Sequence, residues 1–390
     1  MSLWWARKEQ LDKSQISLIE ELPLRESYLV LGPPGSGKSN VLLRRAQFVR
    51  GQSMPNIMVL TFTRPLAEFL RTGCFDAAGR EIFPDRCVST IESWIRWLYR
   101  QHKVDIPDDG TDFIKRKIAL AEGALKFAVN SRVPKYDALF IDEAQDLHSI
   151  EVELFAKWSE VLFFVGDDRQ KIYDHAEGIG AVRSLKPRPE EKALPFHYRL
   201  APELCRMADR VMVPESGQGL EATCHYNGPT PGKIEVSGPL SRDDILELAA
   251  RKLLDQLRVY EDLLRQGDRL AVVVARTDDR EVVLDFLENF RGLSGKAKII
   301  RSKTTDLGDR AYDPSFDPDF PICIITVQGC KGIEFRAIHW VFCEELSHRF
   351  SLEHYYTVVT RAKTSLDLYY SGKLPEALAR AYSQPTESIW

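Results

Sequence analysis

"YLVLGPPGSGKSN", residues 28–40, joins an apolar run to a glycine-rich turn and then to a lysine and a serine. The spacing G-x-x-x-x-G-K-S, which starts at Gly32, matches the P-loop template. Its flanks also fit, because residues 28–31 have the composition of a buried strand and residues 41–49 the pattern of a helix. An ordinary turn would share the glycines but would not need both flanks. The stretch therefore predicts a loop that binds the phosphates of a nucleotide, ATP or GTP.

Each residue type in this loop has a physical role in phosphate binding. Gly35 and Gly37 let backbone N–H groups turn toward phosphate oxygens, and Lys38 supplies a compact positive charge. The hydroxyl of Ser39 can ligate Mg²⁺ at the N-terminus of the following helix. The residues predicted to contact the nucleotide through this loop are Gly32, Pro33, Pro34, Gly35, Ser36, Gly37, Lys38, Ser39 and Asn40.

Composition bounds the class of protein. With 390 residues, 44% of them hydrophobic and 28% charged, the chain is long enough for two or three globular domains. No apolar run approaches the roughly 18 residues of a membrane span. The first ten residues, MSLWWARKEQ, lack the layout of a secretion signal. We therefore expect a cytoplasmic protein that does not engage a membrane.

Charge and cysteine content narrow the class further. The net charge of −4 argues against a protein that coats nucleic acid by bulk charge, although a local basic groove is compatible with it. The basic pair Arg44-Arg45 and the run 115–117 are predicted to be solvated helix faces, the commoner situation for such runs. The seven cysteines show no CxxC pair and no metal-ligand spacing, which predicts reduced residues that mostly lie in the core: Cys74, Cys87, Cys205, Cys224, Cys323, Cys330 and Cys343.

Apolar runs alternate with helical patterns in both halves of the chain. This alternation predicts parallel sheets covered by helices, with polar loops that converge beyond the carboxyl ends of the strands. A proline cluster between residues 187 and 195 suggests a boundary, so we predict domains at 1–194 and 195–390. Residues 303–321, rich in Asp and Pro, are predicted to form an irregular loop. The predicted strands are YLVL, NIMVLTF, DALFIDEA and VLFFVGD, then KIEV, RLAVVVA, ICIITV, AIHWVF and SLDLYY.

Two further stretches carry chemistry at the ends of predicted strands. Asp142 and Glu143 follow an apolar run, which suits a carboxylate that holds Mg²⁺ and a second one that polarises a water, although an acidic turn would have the same letters. In FFVGDDRQKIYD (163–174), Gln170 is placed to sense a γ-phosphate. Tyr173 could equally be a core residue or offer a ring face to a nucleobase.

Taken in order, these stretches resemble the motifs of the superfamily 1 helicases of the UvrD/Rep type, over nearly the whole chain. The resemblance implies two RecA-like P-loop domains of α/β class with parallel sheets, and a nucleotide in the interdomain cleft. Eight segments carry it: GPPGSGKS, VLTFTRPLAEFL (59–70), STIESW (89–94), IDEAQD, VGDDRQKIYD, LPFHYRL (194–200), TVQGCKGIEF (326–335) and YYTVVTRAKTSLDLYY (355–370).

The resemblance assigns roles residue by residue. Gln15 is expected to read adenine, which favours ATP, and Tyr198 to stack on it. Arg199 and Arg361 are expected to act as arginine fingers; a surface arginine on an amphipathic helix is the alternative for Arg361. Glu334 is expected to contact the ribose or the domain interface. The implied catalytic set is Lys38, Glu143, Gln170, Arg199 and Arg361, the metal set is Ser39 and Asp142, and the nucleic-acid set is Thr63, Arg64, Thr90, Trp94, Tyr173, His175 and Gln328.

The chain also departs from that family. Gln328 stands where a histidine is usual, Arg64 stands where an asparagine is common, and the segment after Tyr173 lacks an arginine. About 40 residues separate STIESW from IDEAQD, and the interval 276–321 is similarly short, so the accessory subdomains of the family are expected to be reduced or missing.

The expected function is an ATP-dependent DNA helicase or single-stranded DNA translocase, with ATP and Mg²⁺ as cofactors and 3′ to 5′ travel implied by the family. Its expected partner is single-stranded or tailed duplex DNA. The alternative is a DNA-dependent ATPase that serves a nuclease or another protein partner as a nucleotide-gated clamp or regulatory subunit, without unwinding. A P-loop kinase or transferase is a third possibility, which would make the later motifs accidental.

Overall fold

The protein is an α/β chain with two six-stranded sheets, each of them wholly parallel. A computed structural model describes residues 5–76, 78–107, 113–128, 135–169, 177–214, 218–301, 315–317 and 319–383. By its internal contacts the chain divides into two compact units. The first unit comprises Trp5–Pro33 and Gly37–Pro195, and the second comprises Phe196–Trp390 together with Pro34–Ser36.

The first unit contains one sheet, with strand order β3-β2-β4-β5-β1-β6. Its strands are β1 (Tyr28–Leu31), β2 (Ile57–Thr61), β3 (Val88–Thr90), β4 (Ala138–Ile141), β5 (Leu162–Gly166) and β6 (Glu190–Ala193). Its helices are α1 (Lys13–Ile16), α2 (Lys38–Gly51), α3 (Arg64–Thr72), α4 (Ile91–His102), α5 (Phe113–Ala128), α6 (Ser149–Trp158) and α7 (Ile179–Arg183).

The parallel arrangement brings the carboxyl ends of the strands to one edge of the first sheet. β4 and β5 are buried at every position, as strands covered on both faces must be. β1 lies between β5 and β6, with Leu29 beside Phe164. The loops that follow β1, β2, β4 and β5 therefore start at the same edge, as the sequence predicts.

The second unit is built in the same way, with strand order β7-β12-β11-β8-β10-β9. Among the described residues, no helix is both long enough and apolar enough to cross a bilayer. The strands are β7 (Lys233–Ser237), β8 (Leu270–Val274), β9 (Ala297–Ile299), β10 (Ile322–Thr326), β11 (Phe335–Trp340) and β12 (Ala362–Tyr369). The helices are α8 (Pro202–Val211), α9 (Arg242–Val259), α10 (Glu261–Arg265), α11 (Asp279–Asn289), α12 (Leu352–Val359) and α13 (Glu376–Ser383).

Every predicted strand is present, but three short ones escaped prediction. β3 and β9 have three residues each, too few to show a pattern. β6 reads EEKA and pairs only with β1, so it is an edge strand without an apolar face. Helix α2 begins at Lys38 rather than at residue 41, because Gly37 caps it directly. Of the predicted loop 303–321, residues 303–314 and 318 lie outside the described part of the chain.

Two basic residues that were expected to be solvated are buried. Arg45 is 2% exposed and donates to the carbonyl oxygens of Ile19, Leu22 and Pro23 at 2.7–2.9 Å. Lys117 Nζ lies 2.8 Å from the Glu151 carboxylate, which is itself buried. The prediction of a solvated helix face is therefore wrong for both side chains, since each charge replaces water with protein partners.

The interval from STIESW to IDEAQD contributes α4 and α5, and both helices pack into the core of the first unit. Leu98 and Tyr99 of α4 are buried in one cluster with Leu120 and Ala124 of α5, and the Tyr99 hydroxyl donates to the Leu120 carbonyl at 3.0 Å. The described residues of this interval form two helices packed on the sheet. They do not form a separate subdomain, in agreement with the short interval seen in the sequence.

Trp94 lies inside this core. It is 1% exposed, its Nε1 donates to the Tyr136 hydroxyl at 3.2 Å, and its ring centroid lies 5.8 Å from that of Phe155. No face of the indole is accessible to a base. The predicted nucleic-acid contact of Trp94 is therefore corrected: in this structure the side chain packs the core.

The position of Trp94 generates a test with a matched control on the same helix. Replacing Trp94 with Ala should lower the free energy of unfolding by about 3–5 kcal/mol, because it empties a large core site. Trp97 is 37% exposed, so Trp97→Ala should cost far less. Urea denaturation followed by circular dichroism measures both. Equal losses for the two variants would contradict the core assignment.

Candidate functional site

The loop after β1 has the backbone that a phosphate-binding turn needs. Gly35 and Gly37 have φ angles of +78° and +84°, in the left-handed region that favours glycine. A Cβ added at Gly37 would lie 2.6 Å from Nε2 of Gln15, so a larger residue would clash as well as strain the chain. Gly37 caps α2, whose first backbone N–H groups therefore face the loop.

Lys38 is held over this loop by its own backbone. Its Nζ donates to the carbonyl oxygens of Gly32 and Pro33 at 2.8 and 2.9 Å, and lies 3.9 Å from the Asp167 carboxylate at the end of β5. The ammonium group is thus fixed beside the glycines rather than extended into solvent. A positive charge beside these glycines suits a loop that binds a phosphate group.

A direct hydrogen bond joins the loop to the end of β4. Ser39 Oγ donates to Asp142 Oδ2 at 2.8 Å, although 103 positions separate the two residues. Asp142 is 1% exposed. Burial, and then the neighbouring Glu143 carboxylate, raise the pKa of Asp142, while the bond from Ser39 acts in the opposite direction.

Glu143 follows in a left-handed conformation, with φ of +56°, which is uncommon for a residue with a long side chain. Gln145 donates from Nε2 to the Glu143 carboxylate and accepts from the Asp167 N–H at 3.0 Å through its other amide atom. Gln145 therefore links the acid after β4 to the acid after β5. The residue types alone do not indicate this role, although Gln145 lies within the stretch IDEAQD.

The charges at this edge fit a divalent cation. Asp142, Glu143 and Asp167 are all buried, and Lys38 Nζ lies 3.9 Å from the Asp167 carboxylate. Burial raises the pKa of Asp167 as well, with Lys38 opposing the effect. Excess negative charge out of water is relieved by a metal ion, and a hydroxyl beside a carboxylate is a ligand pair typical of Mg²⁺. Ser39 and Asp142 are the residues that would hold it.

Gln15 has two contacts that bear on its predicted role. Its carboxamide oxygen accepts from the Asp12 N–H at 3.1 Å and closes the capping box of α1, while its amide nitrogen lies against Gly37. The side chain is 4% exposed. Adenine recognition by Gln15 stays a prediction; the geometry shows that this residue adjoins the phosphate-binding turn.

The predicted nucleic-acid residues have mixed placements. Thr63 follows β2 and Thr90 is the last residue of β3. Both cap helices, accepting from the N–H groups of Leu66 and Ser93 at 3.3 and 3.1 Å. Arg64 opens α3 and is partly exposed. In the second unit, Gln328 is exposed in the turn after β10. Gln170, Tyr173 and His175 lie outside the described residues, so their predicted roles are not placed.

Two of the predicted site residues in the second unit, Arg199 and Glu334, belong to an ionic network. Arg199 donates from Nη2 to Glu334 Oε1 at 2.7 Å, and Lys363 Nζ lies 3.7 Å from Oε2 of the same carboxylate. Burial alone would raise the pKa of Glu334, but the charges of Arg199 and Lys363 outweigh it and lower the pKa to about 2. In this structure the carboxylate therefore organises Arg199; the predicted ribose contact remains a prediction.

The same ionic network includes the buried residue Asp268, which was not among the predicted site residues. Asp268 is fully buried just before β8 and accepts from Lys363 at 2.7 Å and from Nε of Arg336 at 2.8 Å. Arg336 also donates to Thr364 at 2.9 Å. No motif marks Asp268 in the sequence. Its importance comes from contacts with residues about 70 and 95 positions away, which only the fold brings near.

Arg361 and Tyr198 differ in environment. Arg361 follows α12 and is 3% exposed, and its carbonyl accepts from the Phe335 N–H at 2.9 Å. Burial excludes the alternative of a surface arginine on an amphipathic helix. Tyr198 is half-buried, with its ring 5.8 Å from that of His225 in an edge-to-face arrangement.

Comparison with known proteins agrees with the geometry of the first unit. Residues 15–176 match the family model described as "AAA domain". That match spans less than half of the chain, and it supports a P-loop fold of the AAA type for this segment. No curated protein matches the chain.

Two solved helicase structures are similar to the chain at low sequence identity. The PRRSV helicase structure is 13% identical, with a TM-score of 0.43, covering 92% of this chain and 54% of that one. The C-terminal domain of a possible DNA helicase from Lactobacillus plantarum WCFS1 is 18% identical, with a TM-score of 0.31, covering 47% of this chain and 93% of that one. This chain thus spans about half the length of the PRRSV helicase.

The low pKa of Glu334 predicts how stability depends on pH. Because the folded pKa of about 2 lies below the ordinary 4.5, the ionised carboxylate stabilises the fold above about pH 5, by about 3 kcal/mol. This contribution disappears as pH falls from 4.5 toward 2. Glu334→Gln should therefore lose stability at pH 7 and approach the wild type in acid.

Urea denaturation from pH 7 down to pH 3 measures the difference between the two proteins. Glu247→Gln is the control, because Glu247 pairs with Arg251 on an exposed helix face of the same unit and should contribute under about 1 kcal/mol. The wild type and Glu334→Gln differ in their free energy of unfolding. If this difference stays constant as the pH falls through 4, the ionic role of Glu334 is contradicted.

Proposed function

We propose that the protein is a nucleic-acid-dependent ATPase, and more specifically an ATP-dependent DNA helicase or single-stranded DNA translocase of the UvrD/Rep type. The observation that carries the proposal is the hydrogen bond from Ser39 to Asp142 at 2.8 Å, with Lys38 held beside it. It joins the phosphate loop to a buried acid at the edge of a parallel sheet. The match of residues 15–176 to the AAA domain family supports the same class of chemistry.

The proposed division of labour follows from these contacts. Lys38 and the backbone N–H groups at the start of α2 bind the β- and γ-phosphates. Ser39 and Asp142 hold the metal, and Mg²⁺ bound there would neutralise charge on the phosphate oxygens. Glu143 orients the attacking water and accepts its proton. Gln145 keeps the Glu143 carboxylate in position through the bond between them.

Arg199 and Arg361 are proposed to stabilise charge on the transferred phosphoryl group. Both are ordered before any substrate arrives: Arg199 by Glu334 at 2.7 Å, and Arg361 by burial between α12 and β12. Prior ordering lowers the entropic cost of placing each guanidinium group. We propose that Gln15 and Tyr198 bind the adenine ring and that Gln170 senses the γ-phosphate. Residues 1–194 and 195–390 are proposed as the two motor domains.

The proposed DNA track uses residues at the carboxyl edges of the two sheets. Thr63, Arg64 and Thr90 would contact phosphates in the first unit, and Gln328 would contact the strand in the second. Tyr173 and His175 are proposed to stack on bases. Travel from 3′ to 5′ is part of the proposal because it is the direction of the family that the motifs resemble.

A second candidate function is supported by the reduced size of the chain. The interval from STIESW to IDEAQD contributes α4 and α5, which pack into the core of the first unit, and the interval 276–321 contributes α11 and β9 to the second. The described residues of both intervals thus contain no accessory subdomain that could split a duplex. This favours a clamp or regulatory subunit that hydrolyses ATP on DNA for a nuclease or another partner, without unwinding.

Two assays separate these candidates. A helicase opens a tailed duplex, whereas a translocase displaces streptavidin from single-stranded DNA without opening a duplex. A clamp does neither, although DNA still stimulates its ATPase. Robust phosphorylation of a small acceptor in the absence of DNA would instead indicate a P-loop kinase.

The ATPase itself is tested by removing the phosphate-loop lysine. Lys38→Ala should reduce ATP turnover to background, both with and without single-stranded DNA, because the charge over the loop is lost. Lys157→Ala, an exposed lysine on α6, should behave as the wild type. Turnover is measured against single-stranded DNA, duplex DNA and RNA. If no nucleic acid changes the wild-type rate, the proposed track is wrong.

The arginine fingers are tested through the separation of binding from catalysis. Arg361→Ala and Arg199→Ala should each lower kcat by about 10³ or more while ATP binding weakens far less. Arg258→Ala, an exposed arginine on α9, is the control. Stopped-flow binding of a fluorescent ATP analogue and steady-state turnover measure the two effects. Since Arg361 is buried, Arg361→Lys and a thermal melt report whether the fold is intact.

A further inference from the structure

Three potential metal ligands meet in the second unit. His197, Cys205 and Cys224 each offer one ligand atom, and these atoms lie within 4.8 Å of one another. His197 and Cys205 are fully buried, while Cys224 is half-buried. Seven and eighteen residues separate them in the chain, which matches no metal motif. The cluster is therefore a product of the fold.

The backbone fixes all three segments against one another. His197 donates its N–H to the Thr223 carbonyl at 3.1 Å, and its own carbonyl accepts from the His225 N–H at 2.8 Å. This short parallel bridge places Cys224 opposite His197. Cys205 is on the first turns of α8, with Sγ 3.7 Å from Nε2 of His197. The cluster thus sits on ordered backbone rather than on a loose loop.

Backbone carbonyls accept hydrogen bonds from all three side chains. Both thiols donate to one acceptor, the Leu200 carbonyl, at 3.6 and 3.3 Å. Nε2 of His197 lies 2.7 Å from the Leu220 carbonyl, which can only accept, so Nε2 carries the proton. Nδ1 is buried and has no hydrogen-bond partner among the described residues. Nε2 is also the ring nitrogen that lies 3.7 Å from Cys205 Sγ, so an ion held between these side chains would bind Nε2, and the ring proton would move to Nδ1.

We propose that His197, Cys205 and Cys224 form a binding site for one thiophilic d¹⁰ metal ion, and we take this ion to be Zn²⁺. Ligands around tetrahedral zinc lie roughly 3.6–3.8 Å apart, given Zn–S of about 2.3 Å and Zn–N of about 2.0 Å. Closing the cluster from 4.8 Å needs a movement of about 1 Å at most. The fourth position would be taken by water or a carbonyl.

Charge balance supports a divalent ion in this buried setting. When the ion binds, Cys205 and Cys224 each release a proton to solvent and become thiolates. Two thiolates, a neutral imidazole and one Zn²⁺ sum to zero charge, so the loaded cluster carries no uncompensated charge out of water. No electron is transferred and no oxidant is needed.

The site lies next to residues with a proposed role. His197 immediately precedes Tyr198 and Arg199, so a bound ion would fix the backbone that carries both. The metal site does not depend on the proposed ATPase, because metal content and thermal stability report on it directly.

The test uses the full chain, reduced and freed of metal by chelation, then exposed to Zn²⁺ and dialysed. Elemental analysis should find one zinc per chain, and the unfolding midpoint should rise on loading. Co²⁺ in place of Zn²⁺ should give the thiolate-to-cobalt charge-transfer absorption. Cys205→Ala and Cys224→Ala should lose the zinc and the absorption. Cys343→Ala, which removes another buried thiol from the same core, should keep both.

The half-buried position of Cys224 keeps the test informative if Cys205→Ala fails to fold. Retention of no zinc by the wild type, or equal retention by all variants, would overturn the proposal. The proposal would also be overturned if the reduced protein takes up no zinc but loses two hydrogens on mild oxidation. That result would show Cys205 and Cys224 to be a redox pair instead.

Discussion

The proposed function of this protein depends on the hydrogen bond between Ser39 and Asp142. It exists because β1 and β4 are parallel members of one sheet, so that the loop after one strand and the acid after the other emerge at the same edge. An antiparallel pairing would send the two residues to opposite edges. Strand direction thus brings these residues together at one edge, and the types of the side chains then determine the chemistry there.

Burial then decides what those side chains can do. Asp142, Glu143 and Asp167 lie out of water, and burial raises the pKa of Asp142 and Asp167 and favours a bound divalent ion. Gln145 joins the acids of two strands through a neutral amide and adds no charge. In the second unit the opposite balance holds. Arg199 and Lys363 surround Glu334 and lower its pKa, so a carboxylate organises the basic residues.

Much of the fold was predictable from the amino-acid sequence, because buried parallel strands leave continuous apolar runs that need no partner to be recognised. β1, β4, β5 and β8 are of this kind. β6 was not predictable, since EEKA becomes a strand only by pairing with β1. Trp94 shows the same limit for the site: its motif suggested a contact with nucleic acid, whereas packing against Tyr136 and Phe155 makes it a core residue.

The sequence by itself determined the phosphate loop, the acid pair after β4 and the α/β class, because each is written in neighbouring residues whose spacing the backbone preserves. Only the tertiary structure decided which distant residues become partners. Asp268 with Arg336 and Lys363, Lys117 with Glu151, and His197 with Cys205 and Cys224 are brought together by the fold. The physical reason is that burial removes water from these groups, so each must find a partner in the chain, and that partner is set by topology rather than by spacing.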